Sequence, residues 1–324
     1  MKKVKLLIFI MALVASLSAC GGKAELRFGA GDRGGMYYAY AEKLSQLAGD
    51  KLNFRIRTTT GSAANIRLLQ KGYLDTAIVQ NDNLYDIAEV TEEDLGFSAA
   101  CGLYTEAIQV VVRADSDIRT LEDLMGKRVS VGEESSGTEL NAGRLLSLYG
   151  IGYSEMDTRY LPLSDACTAL REGSIDAFFY TAGAPTQGLS DLSKETPIRL
   201  IPVPEENVHR MKNLYPDYVE CTVPAGTYGG QTEDVHTVGV RAILLVSNDL
   251  DNETVRQLMD IVFGNSDSLN AALLTESGFS AEEAARSIYI PFHPGAASYL
   301  KEKGVEVKPS ENKGSSPVMG GQDE

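Results

Sequence analysis

Apolar and polar positions along this chain fall into short runs that switch between a strand period and a helix period. Leu26–Gly29 reads as an apolar strand, and Gly35–Ala48 as an amphipathic helix stopped by Gly49. Phe54–Thr58 predicts a strand, Ser62–Lys71 a helix ended by Gly72, and Thr76–Gln80 a further strand. Ile108–Arg113 ("IQVVVR") is a long apolar strand, followed by a short helix at Leu121–Leu124, a strand at Arg128–Gly132 and a helix at Gly137–Leu148 closed by Gly150. His236–Leu250 is a second long apolar strand, and helices follow at Asn252–Phe263 and Ser266–Thr275. Strands alternating with helices argue for an α/β fold with mainly parallel strands.

The pattern recurs. "LLQKGYLDTAIV" (Leu68–Val79) returns as "ALREGSIDAFFY" (Ala169–Tyr180): a helix end, a glycine, an aliphatic residue, an aspartate, then a strand. One copy in each half predicts two lobes of like build. The strand at Ile108–Arg113 would carry the chain into the second lobe, and His236–Leu250 would carry it back. The expected organisation is therefore one lobe from residues 24–113 and 240–307, another from 114–239, and a cleft between them.

The ends change the picture. Residues 1–20, "MKKVKLLIFIMALVASLSAC", carry three lysines, an apolar run too short for a comfortable bilayer span, and small residues before Cys20. This pattern predicts a lipoprotein signal cut before Cys20, with lipid on that cysteine as the mature chain's contact with the membrane. The plainer alternative is an ordinary export signal. Both place the protein outside the cytoplasm. Residues 308–324, rich in Gly, Ser, Pro and charge, read as a disordered tail. A formal net charge of −15 disfavours nucleic acid and anionic membrane surfaces as partners, so any anion site has to be built locally. With Cys20 modified, Cys101, Cys167 and Cys221 leave at most one disulfide, and buried thiols are the plainer expectation.

Candidate chemistry gathers at turns. Gly29, Gly31 and Gly34 have the G-x-G-x-x-G spacing of a dinucleotide fingerprint, with Asp50 downstream. The export signal opposes that reading, because free dinucleotide is scarce outside the cytoplasm. Three strand-to-helix junctions share the same physics: Gly29–Tyr38, Thr58–Asn65 and Gly132–Glu139. Each offers unpaired N–H groups and a positive helix end, which suit a carboxylate as well as a phosphate. Ser62, or Ser136 with Glu139, could equally be mere helix caps. Gln80, Asn81 and Asp82 follow one strand, and Gly183 and Pro185 another, so both groups fall at a carboxyl edge where ligands bind in parallel sheets. His209, His236 and His293 have no metal-ligand spacing, and nothing in the sequence sets a nucleophile beside a base. No catalytic role, cofactor or metal is expected.

Six ordered blocks carry a family resemblance: "GGMYYAYAEKLSQL", "TTTGSAANIRLLQKGYLDTAIVQND", "LMGKRVSVGEESSGTELNA", "REGSIDAFFYTAGAPT", "VPAGTYGGQTEDVHTVGV" and "PFHPGAASYL". Together they resemble the TAXI family, the solute receptors of TRAP-type transporters, over nearly the whole mature chain. The resemblance implies a type II periplasmic-binding-protein fold with two hinge strands. It also implies a small organic acid or amino acid, glutamate-like in some members, delivered to an ion-gradient-driven permease. It assigns ligand contacts to Tyr37, Tyr38, Thr60, Gly61, Ser62, Asn65, Gln80, Asp82, Ser136, Gly137, Thr138, Gly183 and Pro185. The chain departs from the family in its first glycine turn, where Asp32 and Arg33 replace small or hydroxyl residues. Arg33 is accordingly expected either to grip a solute carboxylate bidentately or to be a solvated surface charge. The alternatives are a receptor of similar fold serving an ABC importer or a sensor, and, further off, a nucleotide-dependent enzyme.

Overall fold

The structure, a computed structural model, describes residues 25–84, 95–273 and 279–310. Cys20 and its signal segment lie outside the described residues, as do residues 311–324 of the expected tail. The described chain is mixed α/β, and its strands join one ten-stranded sheet. No helix among the described residues is long and apolar enough to cross a membrane.

The first half builds β1 (Glu25–Gly29), α1 (Met36–Ala48), β2 (Asn53–Arg57), α2 (Ser62–Gln70) and β3 (Thr76–Gln80). β1 lies between β2 and β3 and is parallel to both. The second half repeats the series as β5 (Arg128–Ser130), α3 (Gly137–Ser147), β6 (Asp157–Arg159), α4 (Leu163–Glu172) and β7 (Ala177–Ala182), with β5 between β6 and β7. The same 101-residue step separates Met36 from Gly137, Ser62 from Leu163 and Thr76 from Ala177, which begin corresponding elements.

The repeated aspartate has a definite task in each half. Asp75 accepts hydrogen bonds from the Arg27 backbone N–H (2.7 Å), Nε (2.8 Å) and a terminal guanidinium nitrogen (2.6 Å). Asp176 accepts the same three from Arg128, at 2.9, 3.0 and 2.6 Å. Each clamp ties the entry of the third strand to the first, across a helix, a strand and a second helix. A bidentate guanidinium–carboxylate pair fixes geometry as well as charge.

Two long strands join the halves. β4 (Phe97–Arg113) pairs with β10 (Val235–Ser247) along its first part and with β7 from Ala107 to Val112. β10 in turn pairs with β3 from Ala242 to Val246, and with β9 (Val219–Val223) from Val235 to Gly239. These ladders are antiparallel, as is that of β8 (Ile198–Leu200) on β4. The expectation of mainly parallel strands is thereby corrected: the outer ladders are parallel, but the chain crosses the middle of the sheet in opposite directions. β4 also begins at Phe97, eleven residues before the strand read from Ile108.

At the crossing, Ala107 faces both Gly239 and Ala182. A side-chain carbon on Gly239 would come within 2.8 Å of the Glu106 carbonyl oxygen and 3.2 Å of Cys221, so only glycine fits there. The apolar core divides accordingly. One cluster draws on Leu26–Tyr104 and Ala242–Leu300, joined by Ala182 of β7, and includes α7 (Asn252–Gly264) and α8 (Pro294–Glu302). Two others draw on residues between Ala107 and Val240, including α5 (Gln187–Glu195) and α6 (Glu205–Leu214). The chain stays held into the segment expected as tail: Phe292 N–H donates to the Lys308 carbonyl (2.9 Å) and Ser310 N–H to that of Phe292 (2.7 Å).

The Arg27–Asp75 clamp sets a pH test. Burial alone would raise the Asp75 carboxyl, but Arg27 outweighs it and holds the group below its ordinary 3.8. A depressed acid stabilises the fold above its unfolded value, and that contribution is lost as pH falls through the lower folded value. Asp75→Asn should therefore cost about 1–2 kcal/mol at pH 7, allowing for the half-exposed Arg27, and the difference from wild type should shrink below pH ~4. Urea unfolding at pH 7 and at acid pH checks this; a pH-independent difference would contradict it.

Candidate functional site

The three strand-to-helix turns meet across the halves. A cleft with about 640 Å³ of atom-free space, part of it open to solvent, is lined from the first half by Gly31, Asp32, Tyr37, Thr60, Gly61, Ser62, Gln80 and Glu106. The second half contributes Gly132, Glu133, Ser136, Gly137, Thr138, Leu163, Tyr180 and Thr181. Approach is close. A side-chain carbon on Gly137 would fall 2.0 Å from Gln80 Oε1, so the bare main chain of α3 is what lets Gln80 reach across. Gly61, at φ +104°, takes a backbone conformation strained for any other residue, and it lies against Ser136.

The first turns of α1 and α2 carry no side-chain cap, so their leading N–H groups face the cleft without one. Ser62 is not a cap: its hydroxyl accepts the Gln80 backbone N–H at 3.1 Å and binds β3 to α2. Ser136 does cap, accepting from Glu139 N–H at 3.1 Å. Glu139 completes no box with it and accepts from Ser135 N–H instead (2.8 Å). Thr138 accepts the Thr181 N–H at 3.2 Å, joining α3 to β7.

Of the residues singled out from the sequence, Tyr37, Thr60, Gly61, Ser62, Gln80, Ser136, Gly137 and Thr138 line this cleft. The others have different tasks. Arg33 is exposed, outside the residues that line the cleft, and lies over the half-buried Tyr38 ring at 5.8 Å. Asn65 is fully buried and donates to the carbonyl of Ile78 at 2.9 Å, a strand-to-helix tie. Gly183 and Pro185 lie past the lining residues of β7, where the Thr186 hydroxyl donates to Gly183 O at 2.7 Å.

Asp82 is the most informative displacement. It is fully buried and accepts from Asn141 Nδ2 (2.7 Å), the Tyr218 hydroxyl (2.8 Å) and Arg144 (3.2 Å). Asn141 and Arg144 stand on α3 and Tyr218 precedes β9, so this aspartate of the first half is clasped by the second. Burial pushes its carboxyl up, while Arg144 and the hydrogen bonds oppose the shift. Arg144 also stacks on Tyr215 at 4.7 Å.

The residue that sequence reading missed is Glu106. It is 1% exposed, and its Oε2 accepts from Gln80 Nε2 (2.8 Å) and the Tyr37 hydroxyl (3.1 Å). Burial pushes its carboxyl up to about 8, against the pull of Gln80 and Tyr37. The one sequence signal was its place just ahead of "AIQVVVR", a lone acid on the approach to an apolar strand. Among the described residues no cluster of His, Cys, Asp and Glu could hold a metal ion. Cys101 and Cys167 stand as thiols, each pushed up to about 12 by burial.

The model of the NMT1-like family matches residues 28–304. Among solved structures, SsuA from Xanthomonas axonopodis pv. citri, an alkanesulfonate-binding protein bound to MOPS, aligns at 17% identity and TM-score 0.47 over 87% of this chain and 92% of its own. A putative L-cystine ABC transporter protein from Listeria monocytogenes aligns at 13% identity and TM-score 0.49, over 76% and 93%. The GluR0 ligand-binding core in complex with L-glutamate aligns at 12% identity and TM-score 0.48, over 78% and 98%. The family match spans most of the chain, which belongs to the NMT1-like family.

The Asp82 clasp gives the site its test. Removing one partner of a buried ion pair leaves the other uncompensated, a loss of about 3–5 kcal/mol. Asp82→Ala should therefore lower stability to urea by that order. A change below about 1 kcal/mol, the size of an exposed pair, would show that the clasp is not buried in solution.

Proposed function

We propose that this chain is an extracytoplasmic solute receptor. It takes a small organic acid or amino acid into the cleft and passes it to a TRAP-type, ion-gradient-driven permease, as the TAXI resemblance implies. The observation that carries the reading is one cleft lined by equivalent turns of both halves, with the chain passing from one half to the other along β4 and β10. Such a layout lets the halves rotate about β4 and β10 and close on a ligand. On this reading residues 24–113 with 240–307, and 114–239, are the two moving lobes.

In the proposed complex the uncapped starts of α1 and α2 supply backbone N–H groups and positive helix ends to a solute carboxylate, with Thr60 adding a hydroxyl. That assigns anion binding to the main chain and leaves Arg33 at the surface. The export signal and the lipid on Cys20 would hold the receptor at the outer face of the membrane, where a permease could accept its solute.

Solute released from denatured protein, identified by mass spectrometry, supplies the ligand for a scattering measurement. Adding it back to stripped protein should reduce the radius of gyration. An unchanged profile with calorimetrically verified saturation would remove the closing cleft from the account.

A further inference from the structure

The cleft has an acidic floor. Asp32, Glu106 and Glu133 line it, and among the described residues no lysine, arginine or histidine does. Its acceptors are also incompletely used. Gln80 is 3% exposed, and its Oε1 is buried with no hydrogen-bond partner among the described residues; Asp32 Oδ2 is in the same state. Gln80 has committed its Nε2 to Glu106, which leaves its carbonyl oxygen, set against the bare main chain of Gly137 in the cleft wall, as its unpaired atom. A buried acceptor left unpaired is costly, and each such atom calls for a donor from elsewhere. An ammonium group brings three donors, no acceptor and a positive charge.

We propose that the solute carries a protonated amine, and that Glu106 with the Gln80 carbonyl oxygen is the amine's site in the cleft. This rests on the receptor reading above and narrows it. A carboxylate on the α1 and α2 starts and an ammonium on Glu106 would together select a zwitterion over an amine-free organic acid. Glu106 is suited to discriminate because it sits at the strand crossing, held by Tyr37 of α1 and Gln80 of β3. Its position is thus fixed before a solute arrives.

The opposite assignment, a protonated Glu106 donating to a solute oxygen, gives the opposite pH dependence. Around Glu106 stand Tyr37 on α1, Gln80 on β3, Asp82 just after β3, Tyr104 on β4 and Tyr180 on β7, with Asp32 and Glu133 also lining the cleft. Burial raises all three tyrosines, so they stay neutral through the range of interest. Burial and Asp32 raise Glu133 as well, so it needs its own control. With Glu106 pushed up to about 8, an ammonium must displace its proton. Affinity for an amine should then rise with pH by up to about tenfold per unit below that value, with proton release on binding. An oxygen ligand that needs the proton would bind more weakly as pH rises.

The test is calorimetry at pH 6 to 8.5 with matched pairs: L-glutamate and 2-oxoglutarate, L-alanine and pyruvate, L-leucine and 4-methyl-2-oxopentanoate. Solute released by denaturation is identified in parallel. We expect an amine-bearing ligand to bind at least tenfold tighter than its oxo counterpart, with affinity rising with pH. Glu106→Gln should lose both the preference and the pH slope; loss of the slope in Glu133→Gln instead would assign the titration to Glu133 and overturn the proposal. The wild-type preference and slope need no variant, so misfolding of Glu106→Gln cannot rescue the proposal. Equal or tighter binding of the oxo acid, a falling slope, or an amine-free released solute would overturn it while leaving the receptor reading intact. No binding by any probe together with no released solute would overturn both.

Discussion

A carboxylate buried where one strand passes between two halves of a sheet is the constraint on which the rest of the site depends. Glu106 precedes Ala107, the residue at which β4 exchanges β10 for β7 as its neighbour. A charge-bearing group at 1% exposure has to be hydrogen-bonded or neutralised. Its partners therefore come from elements that must all be in place: Gln80 from the end of β3, itself held through Ser62, and Tyr37 from the first turn of α1. The polar cluster at the crossing thus aligns the two turns of the first half. Gly239, which no larger residue could replace, lets β10 pass close enough for the crossing to form.

The second half repeats the scaffold without repeating the chemistry. Arg128 grips Asp176 as Arg27 grips Asp75, and both hold the third strand of their half in register. A scaffold reproduced so closely brings equivalent turns to the carboxyl edges of both halves, which is where such sheets accept ligands. What differs is the side chains. The first half supplies Gln80 and Glu106, while the second supplies the bare main chain of Gly137, the Ser136 cap and the Tyr180 ring. The Asp82 clasp lies just behind, joining the end of β3 to α3 through Asn141, Arg144 and Tyr218.

Much of this was legible in the order of residues, because the signals were local. Gly49 and Gly72 mark the ends of the first two helices, and the repeated glycine-to-aspartate motif announced two halves of like build. Both long crossing strands were visible as apolar runs. The start of β4 was not. Ser98, Ala99, Ala100, Cys101 and Gly102 have little strand preference, and their complete burial comes from the β10 ladder. Glu106 disappeared with them, since a single glutamate in a chain of 45 acids looks like surface. Arg33, Asn65 and Asp82 stand outside the cleft lining for a related reason. Spacing placed them near the right turn, but side-chain direction is decided by packing that spacing does not encode: Arg33 lies on Tyr38, Asn65 is drawn under β3, and Asp82 is captured by α3.

On the proposed function, one small molecule is held by both halves at once, at these turns. Hydrogen–deuterium exchange of the stripped protein, with and without its released solute, reads this directly. Binding should slow exchange together in peptides covering residues 30–40, 58–66 and 132–140, drawn from both halves. Protection confined to one half, or centred away from these turns, would contradict the account.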